Sequence, residues 1–337
     1  MRVFQIEGDW GLHNLKLSQR PQPTAGPGQV LVRMQASALN YRDLVVPERG
    51  YGSYTGSLPL IPISDGVGTV CQVGPGVRRV TVGDRVCPTY FQNWTGGAPD
   101  LERLTQSLGG PLDGTMTEIM CLSEQGVVKV PVHLTDAQAA SLPCAALTAW
   151  SALTSGSTVQ AGDRVLIQGC GGVALFAVQF AKLMGAHITV ITSSEERMAR
   201  VRQLGADAVI NYRAVPEWAK ATRDITLGRG YDLIIELGGE KTLPQSLRCI
   251  RPGGTIAMIG ILSGSTMTTS LGLIVTRQVR LQGVTVGHRD GFEAMIRAMD
   301  QHKIEPVVDR IFGFEELKEA MAYLKSGAQF GKVCIAH

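Results

Sequence analysis

The chain has 337 residues, of which 44% are hydrophobic and 18% are charged, and its formal net charge is only +3. This length and composition are typical of a globular protein with about two domains, each able to bury its own core. The small net charge and the lack of a dense Lys/Arg run argue against nucleic acid or an anionic membrane as the main partner.

No stretch of the sequence reaches about 18 uninterrupted apolar residues, and the N-terminal residues lack the apolar core of a signal peptide. We therefore expect a cytoplasmic protein without a membrane segment. The cysteines show no CxxC motif and no Cys/His pair at metal-ligand spacing, so we expect reduced, buried thiols. They are Cys71, Cys87, Cys121, Cys144, Cys170, Cys249 and Cys334.

Residues 1 to about 125 predict an irregular, largely antiparallel β domain, because short β-like runs alternate with Gly/Pro-rich turns. The runs lie at 29–35, 66–73, 85–88 and 114–122. Between the last two of them, residues 91–112 form a polar loop that is long for a compact domain. A loop of this length is typical of a lid, a binding loop or a disordered segment.

From about residue 134 strands alternate with helices, which predicts an α/β domain with a parallel, doubly wound sheet. A helix is expected at 144–153, and the strands are expected at 164–168, 187–192, 208–212, 231–237, 254–261 and 279–286. The C-terminal part holds predicted helices at 292–301 and 314–325 and predicted strands at 306–311 and 331–335. We expect this tail to return to the first domain.

A glycine-rich turn, Gly169-Cys-Gly-Gly-Val-Ala174, follows the first of these strands and opens a long apolar helix. Gly169 and Gly171 permit a tight turn and a close approach of the backbone to a pyrophosphate, and Ala174 permits close packing of helix on strand. The phosphates would lie on the helix N-terminus. A glycine-rich turn of this kind can also be purely structural, so the interpretation depends on the rest of the chain.

The end of the second strand decides which dinucleotide is expected. An NAD site would place an acidic residue there to hold the ribose, but the strand ends in Ile191-Thr-Ser-Ser-Glu-Glu-Arg197. Ser193 and Glu196 fit a capping box, which puts Arg197 in the first turn of the next helix. Hydroxyls, helix N–H groups and a cation suit a 2′-phosphate and predict NADP(H). Alternatively the serines only cap the helix, Arg197 is solvated, and Glu195 or Glu196 contacts the ribose of NAD.

Seven blocks occur along the whole chain: Ala38-Leu-Asn-Tyr-Arg-Asp43, Pro62-Ile-Ser-Asp-Gly-Val-Gly68, Val82-Gly-Asp-Arg-Val86, Leu142-Pro-Cys-Ala-Ala-Leu-Thr-Ala-Trp150, Gly169-Cys-Gly-Gly-Val173, Leu204-Gly-Ala-Asp-Ala-Val-Ile-Asn-Tyr212 and Gly331-Lys-Val333. In this order they resemble the medium-chain dehydrogenase/reductases, within the zinc-independent branch similar to quinone oxidoreductases and NAD(P)-dependent alcohol dehydrogenases. The resemblance implies a GroES-like, β-rich catalytic domain at 1–128, a Rossmann domain at 129–287, and a return to the first domain at 288–337. It places the active site in the cleft between the domains.

The resemblance also implies a set of cofactor-binding residues. It assigns the phosphate turn to Gly169, Gly171, Gly172 and Val173, and the 2′-phosphate contacts to Ser193, Arg197 and Tyr212. Tyr212 could equally be a packed strand aromatic. Gly238 and Gly260, at the ends of two later predicted strands, complete the candidate set.

Zinc-dependent members of this family place their ligands at positions that here read Asn40, Ser64 and Cys144. An amide and a hydroxyl cannot hold zinc tightly, so we expect Cys144 to be a core thiol. Cys87 stands alone where a structural zinc would need four closely spaced cysteines. We therefore predict no bound metal.

Without a metal, hydrogen bonds must polarise the substrate. Asn40 and Asp43 match an Asn-x-x-Asp pattern of the family, although they could instead fix a turn. Tyr51 falls where quinone and enoyl reductases often carry a tyrosine, although it could be an exposed loop residue. Tyr41 and Tyr54 compete with it for this role. The candidate catalytic residues are Asn40, Asp43, Tyr51 and Ser64.

The expected function is metal-independent, NADPH-dependent hydride transfer to a small molecule, an electron-poor C=C bond or a quinone. One alternative is an NADP-dependent alcohol/ketone dehydrogenase without zinc, and another is a catalytically silent NADPH-binding protein. The apolar run from Val279 to Val286 would be an aggregation liability at the end of the Rossmann sheet. Edge-to-edge pairing of this strand predicts a homodimer.

Overall fold

A computed structural model of the protein describes residues 1–156, 158–269 and 271–337. The strands are β1 Arg2–Ile6, β2 Leu15–Gln19, β3 Gln29–Ala38, β4 Asp65–Val73, β5 Arg85–Pro88, β6 Ile119–Ser123, β7 Val127–Lys129, β8 Arg164–Gln168, β9 His187–Thr192, β10 Ala208–Asn211, β11 Tyr231–Glu236, β12 Ile250–Met258, β13 Arg280–Gly283, β14 Val308–Gly313 and β15 Lys332–Ala336. The α-helices are α1 Arg42–Val45, α2 Leu101–Leu104, α3 Asp136–Ala140, α4 Leu147–Thr154, α5 Gly172–Leu183, α6 Glu195–Gln203, α7 Trp218–Ile225, α8 Leu243–Cys249, α9 Leu271–Thr276, α10 Arg289–His302 and α11 Leu317–Ser326.

The chain forms two compact units. Unit 1 consists of Met1–Leu147 and Val286–His337, and unit 2 consists of Thr148–Thr285. Among the helices of the described ranges, none is long and apolar enough to cross a membrane.

Unit 1 is built on a seven-stranded sheet. Its strands follow the order β14-β15-β3-β4-β5-β7, with β6 also paired to β3, and β1 and β2 form a separate pair. All pairs are antiparallel except β14 with β15. The C-terminal strand β15 pairs with β3 through Cys334 opposite Ala38, so the end of the chain completes the sheet that the N-terminal part begins. The predicted antiparallel β domain is present.

Unit 1 extends past the predicted domain boundary at residue 128 to Leu147. The reason lies in how residues after β7 pack. Helix α3 begins with a capping box at Thr135 and buries three alanines. The Cys87 thiol of β5 donates to the carbonyl of Ala139, and the backbone N–H of Cys144 donates to Asp65. These bonds hold the segment on the β sheet of unit 1.

Unit 2 contains a six-stranded parallel sheet in the order β10-β9-β8-β11-β12-β13. All of β11 is buried, as expected for a central strand of a parallel sheet. The chain runs outward from β8 to β10, returns to place β11 beside β8, and then runs outward to β13. The strand order therefore reverses between β8 and β11, as in a doubly wound sheet.

Several predicted elements differ from the observed ones. The strand expected at 254–261 is β12. It begins earlier, at Ile250, because Ile250 pairs with Tyr231 of β11 ahead of a register shift between these two strands. The strand expected at 279–286 is limited to β13, because its pairing with β12 ends at Gly283. The run at 114–122 enters the sheet only at Ile119, since the residues before it bond to other segments.

The long loop at 91–112 is anchored rather than loose. The backbone N–H groups of Arg289 and Asp290 donate to the carbonyls of Trp94 and Thr95, and the Trp94 ring meets the His288 ring edge-on at 5.5 Å. His288 caps the helix, so α10 begins earlier than predicted. The helix N-terminus thereby fixes the first part of the loop within unit 1.

Candidate active site

The glycine-rich turn of unit 2 presents an open backbone. Gly169 has φ +81°, a conformation that favours glycine, and its N–H donates to the carbonyl of Ile191 at 2.7 Å. A Cβ built at Gly169 or Gly171 would meet no heavy atom within 4 Å. The Cys170 thiol donates to the Thr192 hydroxyl at 3.0 Å and ties the turn to the end of β9. The free space beside this backbone suits a bound phosphate.

Helix α5 starts directly from this turn. Gly171 is its N-cap, and Gly172 and Val173 form its partly exposed first turn. Ala174 is fully buried, which agrees with the close packing predicted for this position. The N–H groups of the first turn therefore lie at the carboxyl end of β8, where a pyrophosphate is expected.

The residues predicted to hold a 2′-phosphate lie together at the start of α6. The Arg197 guanidinium donates to the Ser193 hydroxyl at 3.4 Å. The predicted capping box of Ser193 and Glu196 is wrong: the N-cap is Ser194, whose hydroxyl accepts from the backbone N–H of Arg197 at 3.3 Å. Ser194 has extended backbone angles and stands three residues before that N–H, so its side chain reaches it. Ser193 is left facing the guanidinium.

The two acidic residues of this segment point to other partners. Both are exposed; the Glu195 carboxylate accepts from the Asn211 amide at 3.2 Å, and Glu196 lies 3.9 Å from Arg200. Tyr212 follows Asn211, and its N–H donates to the carbonyl of Thr192 at 2.9 Å. Its side chain is 39% exposed, so it is a surface group at the carboxyl end of β10 rather than a fully packed strand aromatic.

Gly238 and Gly260 allow two loops to approach each other. A Cβ at Gly260 would lie 2.1 Å from the carbonyl oxygen of Leu237, and a Cβ at Gly238 would lie 2.3 Å from the Thr242 hydroxyl. These glycines follow β11 and β12. All the candidate cofactor residues of unit 2 therefore lie at the carboxyl ends of its parallel strands, where ligands bind in such sheets.

The second group of candidates lies in unit 1. The Asn40 N–H donates to the Asp43 carboxylate at 2.7 Å, and the Asp43 N–H returns a bond to the Asn40 carbonyl at 3.0 Å, so these residues do fix a turn. The Asn40 side-chain oxygen accepts from the buried Lys332 ammonium at 2.6 Å. The same ammonium donates to the Leu39 carbonyl at 2.7 Å. The amide of Asn40 is thus held in one orientation.

Ser64 and Asp65 are fully buried beside this turn. The Ser64 hydroxyl donates to Asp65 at 2.7 Å, and the Cys144 N–H donates to the other carboxylate oxygen at 3.0 Å. Burial raises the pKa of Asp65, while Lys332 and these hydrogen bonds oppose the rise. The structure therefore commits the Ser64 hydroxyl to Asp65.

Asp43 and Arg42 form a buried pair of opposite charge. Their nearest side-chain atoms, Arg42 Nη1 and Asp43 Oδ1, are 3.7 Å apart. Burial raises the pKa of Asp43 to about 6, against the opposing effect of Arg42. The Arg42 guanidinium lies 4.9 Å from the centre of the Tyr90 ring and donates to the carbonyls of Leu108 and Gly110. This pair joins the Asn40 turn to the long loop.

Tyr51 is the least exposed of the three candidate tyrosines. Its side chain is 44% exposed, compared with 54% for Tyr41 and 64% for Tyr54. Partial burial raises the pKa of Tyr51, and the nearby Arg42 lowers it. A phenol in this position remains protonated at neutral pH and can donate a hydrogen bond or a proton.

Three residues around the Asn40 turn of unit 1 were not predicted from the sequence as site residues. Asp65 and Lys332 lie next to Ser64 and Gly331, inside two of the seven family-like sequence blocks. Their position in these blocks could have identified them as candidates. Tyr90 carries no comparable signal, because its place under the Arg42 guanidinium depends on the course of the loop.

The groups at the matched zinc-ligand positions do not fit zinc. The Asn40 oxygen faces an ammonium, the Ser64 hydroxyl is bonded to Asp65, and burial raises the pKa of the Cys144 thiol well above its ordinary value. A buried lysine at the same place disfavours a second cation. Within residues 1–156, 158–269 and 271–337, no group of three or more His, Cys, Asp and Glu side chains is placed to hold a metal ion.

Two family models match the chain. Residues 26–132 match the alcohol dehydrogenase GroES-like domain, and residues 172–301 match the zinc-binding dehydrogenase. These matches confirm the predicted GroES-like domain and the predicted fold class.

Similar proteins with curated descriptions span the whole chain. A zinc-type alcohol dehydrogenase-like protein of Schizosaccharomyces pombe is 40% identical over 332 residues, which is 96% of each chain. An acryloyl-coenzyme A reductase of Sulfurisphaera tokodaii is 28% identical and covers 95% of this chain and 96% of its own.

Solved structures agree with the fold over its full length. The structure of an NAD-dependent alcohol dehydrogenase matches with a TM-score of 0.91 at 31% identity, covering 100% of both chains. A crotonyl-CoA carboxylase/reductase in complex with NADP matches with a TM-score of 0.87 at 26% identity, covering 100% of this chain and 94% of its own. The similar proteins thus include both proteins described as alcohol dehydrogenases and proteins described as coenzyme A-ester reductases.

Proposed function

Because the chain belongs to the medium-chain dehydrogenase/reductase family, we propose that it is a metal-independent, NADPH-dependent reductase of electron-poor C=C bonds or quinones. Oxidoreductase activity is common to the family. The observation that carries the finer proposal is the chemistry at the matched metal-ligand positions. The Asn40 oxygen faces the Lys332 ammonium and the buried Ser64 hydroxyl is bonded to Asp65, so neither group suits zinc.

The cofactor part of the proposal assigns NADPH to unit 2. The turn at Gly169 to Val173 would hold the pyrophosphate, and Ser193, Arg197 and Tyr212 would surround the 2′-phosphate. Similar structures include both an NAD-dependent protein and NADP complexes, so the choice of NADPH depends on residues 191–197. When bound, NADPH supplies the hydride.

The chain's own residues would stabilise the negative charge that develops on the substrate and would deliver the proton. Hydride addition to the β-carbon of an unsaturated carbonyl compound leaves negative charge on its oxygen, and a proton delivered to the α-carbon completes the reduction. In this proposal Tyr51 would donate to that oxygen or supply that proton. Asn40 and Asp43 lie in one hydrogen-bonded turn, and Lys332 orients the Asn40 amide.

A specific observation favours one second candidate, a zinc-free alcohol/ketone dehydrogenase: several similar proteins are described as alcohol dehydrogenases. In this family such chemistry ordinarily uses zinc to polarise the alkoxide, and the residues at the matched positions lack the required ligands. The acryloyl-coenzyme A reductase supports double-bond reduction on the same fold.

Steady-state oxidation of NADPH tests the proposal with three acceptors: an enone, a quinone and a simple ketone. We expect turnover with the enone or the quinone, and no loss after treatment with a chelator. Turnover of the ketone alone, or one equivalent of zinc removed together with activity, would support the dehydrogenase. NADPH binding without turnover of any acceptor would support a silent binding protein.

Replacement of the candidate proton donor gives a matched control. Tyr51→Phe should lower kcat with the enone by roughly a hundred- to ten-thousandfold, because general acid catalysis contributes on the order of 10² to 10⁴. Tyr54→Phe removes the hydroxyl of a more exposed tyrosine nearby and should leave kcat unchanged.

A further inference from the structure

Glu236 is a fully buried carboxylate at the carboxyl end of β11. One of its oxygens accepts from the N–H groups of Gly238 and Gly239, each at 3.1 Å, and from the Thr242 hydroxyl. The other accepts from the Ser246 hydroxyl at 2.5 Å. The side chain therefore acts only as an acceptor, and it holds both the loop after β11 and the start of α8.

Gln168 connects this carboxylate to the neighbouring strand. It is the last residue of β8, and its side-chain nitrogen donates to Glu236 at 2.7 Å. Its side-chain oxygen accepts from the N–H groups of Leu237 and Gly238 at 3.0 and 3.1 Å. Gln168 directly precedes Gly169. The glycine-rich turn and the loop after β11 are thus bonded through one pair of buried side chains.

The same loop is bonded to the one after β12. The Gly238 carbonyl accepts from the backbone N–H of Ser263 at 2.7 Å and from its hydroxyl at 2.8 Å, and that hydroxyl also accepts from the Lys241 N–H at 3.0 Å. Three strand ends, those of β8, β11 and β12, therefore form one hydrogen-bonded block with Glu236 near its centre.

This block lies where the strand order reverses. Strands β8 and β11 are neighbours in the sheet, but the chain leaves β8 in one direction and β11 in the other. In doubly wound sheets the ligand crevice opens outside the carboxyl ends of the strands at this switch point. Glu236 and Gln168 bridge the two strands there.

We propose that Glu236 is a positioning residue for the dinucleotide: it fixes the glycine-rich turn and the loop at 237–239 in one arrangement across the crevice. The inference rests on the proposed cofactor site. It implies that Glu236 serves NADPH and NADH alike, because it bonds to the backbone of Gly238 and Gly239 and to the side chain of Gln168, which directly precedes Gly169. The 2′-phosphate contacts at Ser193 and Arg197 lie outside this hydrogen-bonded block.

Glu236→Gln is the informative variant. It keeps the shape of the side chain but turns a –NH₂ group toward N–H and O–H donors, so at least one bond, such as that from the Gln168 amide, is lost. We expect the dissociation constants of NADPH and NADH both to rise by about tenfold or more. Adenosine 2′-monophosphate should bind to the variant within about twofold of wild type, since it carries the 2′-phosphate assigned to Ser193 and Arg197 but no 5′-phosphate for the glycine-rich turn. Glu240→Gln, the same change at an exposed position of the same segment, is the control.

Equal dinucleotide binding by Glu236→Gln and wild type would overturn the inference while leaving the proposed function intact. A parallel loss for adenosine 2′-monophosphate would also overturn it, because that result indicates general damage to unit 2. If Glu236→Gln does not fold, Thr242→Val removes one donor to the same carboxylate and should weaken both dinucleotides by about threefold. Failure of the wild type to bind NADPH at all would count against the proposed function itself.

Discussion

Arg197 is the side chain on which cofactor choice depends most directly. Its guanidinium reaches Ser193, and the acidic neighbours are directed to Asn211 and Arg200. A charge-assisted contact to a 2′-phosphate is worth roughly 1.5–3 kcal/mol. We therefore expect Arg197→Ala to weaken NADPH binding by about ten- to a hundredfold and to leave NADH nearly unaffected.

Apparent dissociation constants of NADPH and NADH, measured for wild type and Arg197→Ala, test this prediction. An equal loss for NADPH and NADH would mean that Arg197 only supports the fold. A wild-type preference for NADH would refute the interpretation of residues 191–197 as a 2′-phosphate site.

Asp43 should give the protein a measurable dependence of stability on pH. Burial raises its pKa from 3.8 to about 6, so between these values the folded protein holds a proton that the unfolded chain releases. The contribution of Asp43 to the free energy of unfolding is therefore greatest below pH 4 and is lost as the pH rises through 6. As the pH falls from 7 to 5, the contribution of Asp43 to the free energy of unfolding should increase by roughly 1 kcal/mol.

Urea unfolding of wild type and Asp43→Asn at pH 7 and pH 5 measures this contribution. The variant should lack the increase, and Asp224→Asn, a change at an exposed carboxyl, should behave as wild type. An identical pH dependence in wild type and Asp43→Asn would show that the carboxyl titrates at the same pH in both states.

The role of a single residue could be predicted only where its type and its spacing from other residues allow few functions. The candidates at Asn40 and Asp43 follow from a short pattern, and the structure brings them into one turn. The error at Ser193 arose because two adjacent serines both fit an N-cap, and only the backbone angles decide between them. The roles of Lys332 and Tyr90 depend on contacts between residues far apart in the chain.

The start of α6 provides a test at the level of an element. Ser194 accepts the backbone N–H of Arg197, and loss of an N-cap hydroxyl costs about 1 kcal/mol. Ser194→Ala should therefore lower the free energy of unfolding by that amount and leave the ratio of NADPH to NADH affinity unchanged.

Ser193→Ala is the matched change one residue earlier, and the opposite pattern is expected: a reduced NADPH preference with little loss of stability. Chemical unfolding and cofactor titration of both variants separate the two roles. A larger loss of stability in Ser193→Ala than in Ser194→Ala would contradict the observed cap.

Elements with strong periodicity were predicted well, and elements defined by pairing were not. The strands at 164–168 and 187–192 agree with β8 and β9, because apolar runs between turns mark buried parallel strands. The limits of β12 and β13 depend instead on where each strand meets its neighbour. The course of the loop at 91–112 depends on its bonds to α10, which no local pattern reveals.

At the scale of the whole molecule, the free edge of unit 2 predicts a homodimer. Strand β13 ends the sheet, its Leu281 is 42% exposed, and nearby α9 exposes Leu271 and Val275 by 69% and 72%. An exposed sheet edge is usually covered, and a second copy of the chain would cover it by continuing the sheet. Light scattering at micromolar concentration should give twice the chain mass of 36.1 kDa.

Leu281→Lys should shift this equilibrium toward the monomer, because it places a charge at the edge. Leu227→Lys introduces the same charge at a leucine of unit 2 that is 90% exposed and should leave the dimer intact. A wild-type mass near 36.1 kDa across the concentration range would refute the proposed association.

The overall fold was readable from the sequence because periodicity, turn signals and the ordered blocks all favour the same architecture. The candidate catalytic residues of unit 1 were harder to predict from the sequence. They and their partners come from four separate segments: the end of β3, the start of β4, the segment before α4 and the start of β15. Spacing along the chain identifies the separate pieces, but only the packed structure shows that Lys332 orients Asn40 and that Asp65 engages Ser64.

Transfer of deuterium from NADPH labelled at the nicotinamide C4 position to an α,β-unsaturated ketone, in the presence of a chelator, distinguishes metal-independent double-bond reduction from carbonyl reduction. We expect a saturated ketone with deuterium on its β-carbon, formed at the same rate with and without chelator. An unsaturated alcohol with deuterium on the carbonyl carbon, or a reaction abolished by the chelator, would contradict it.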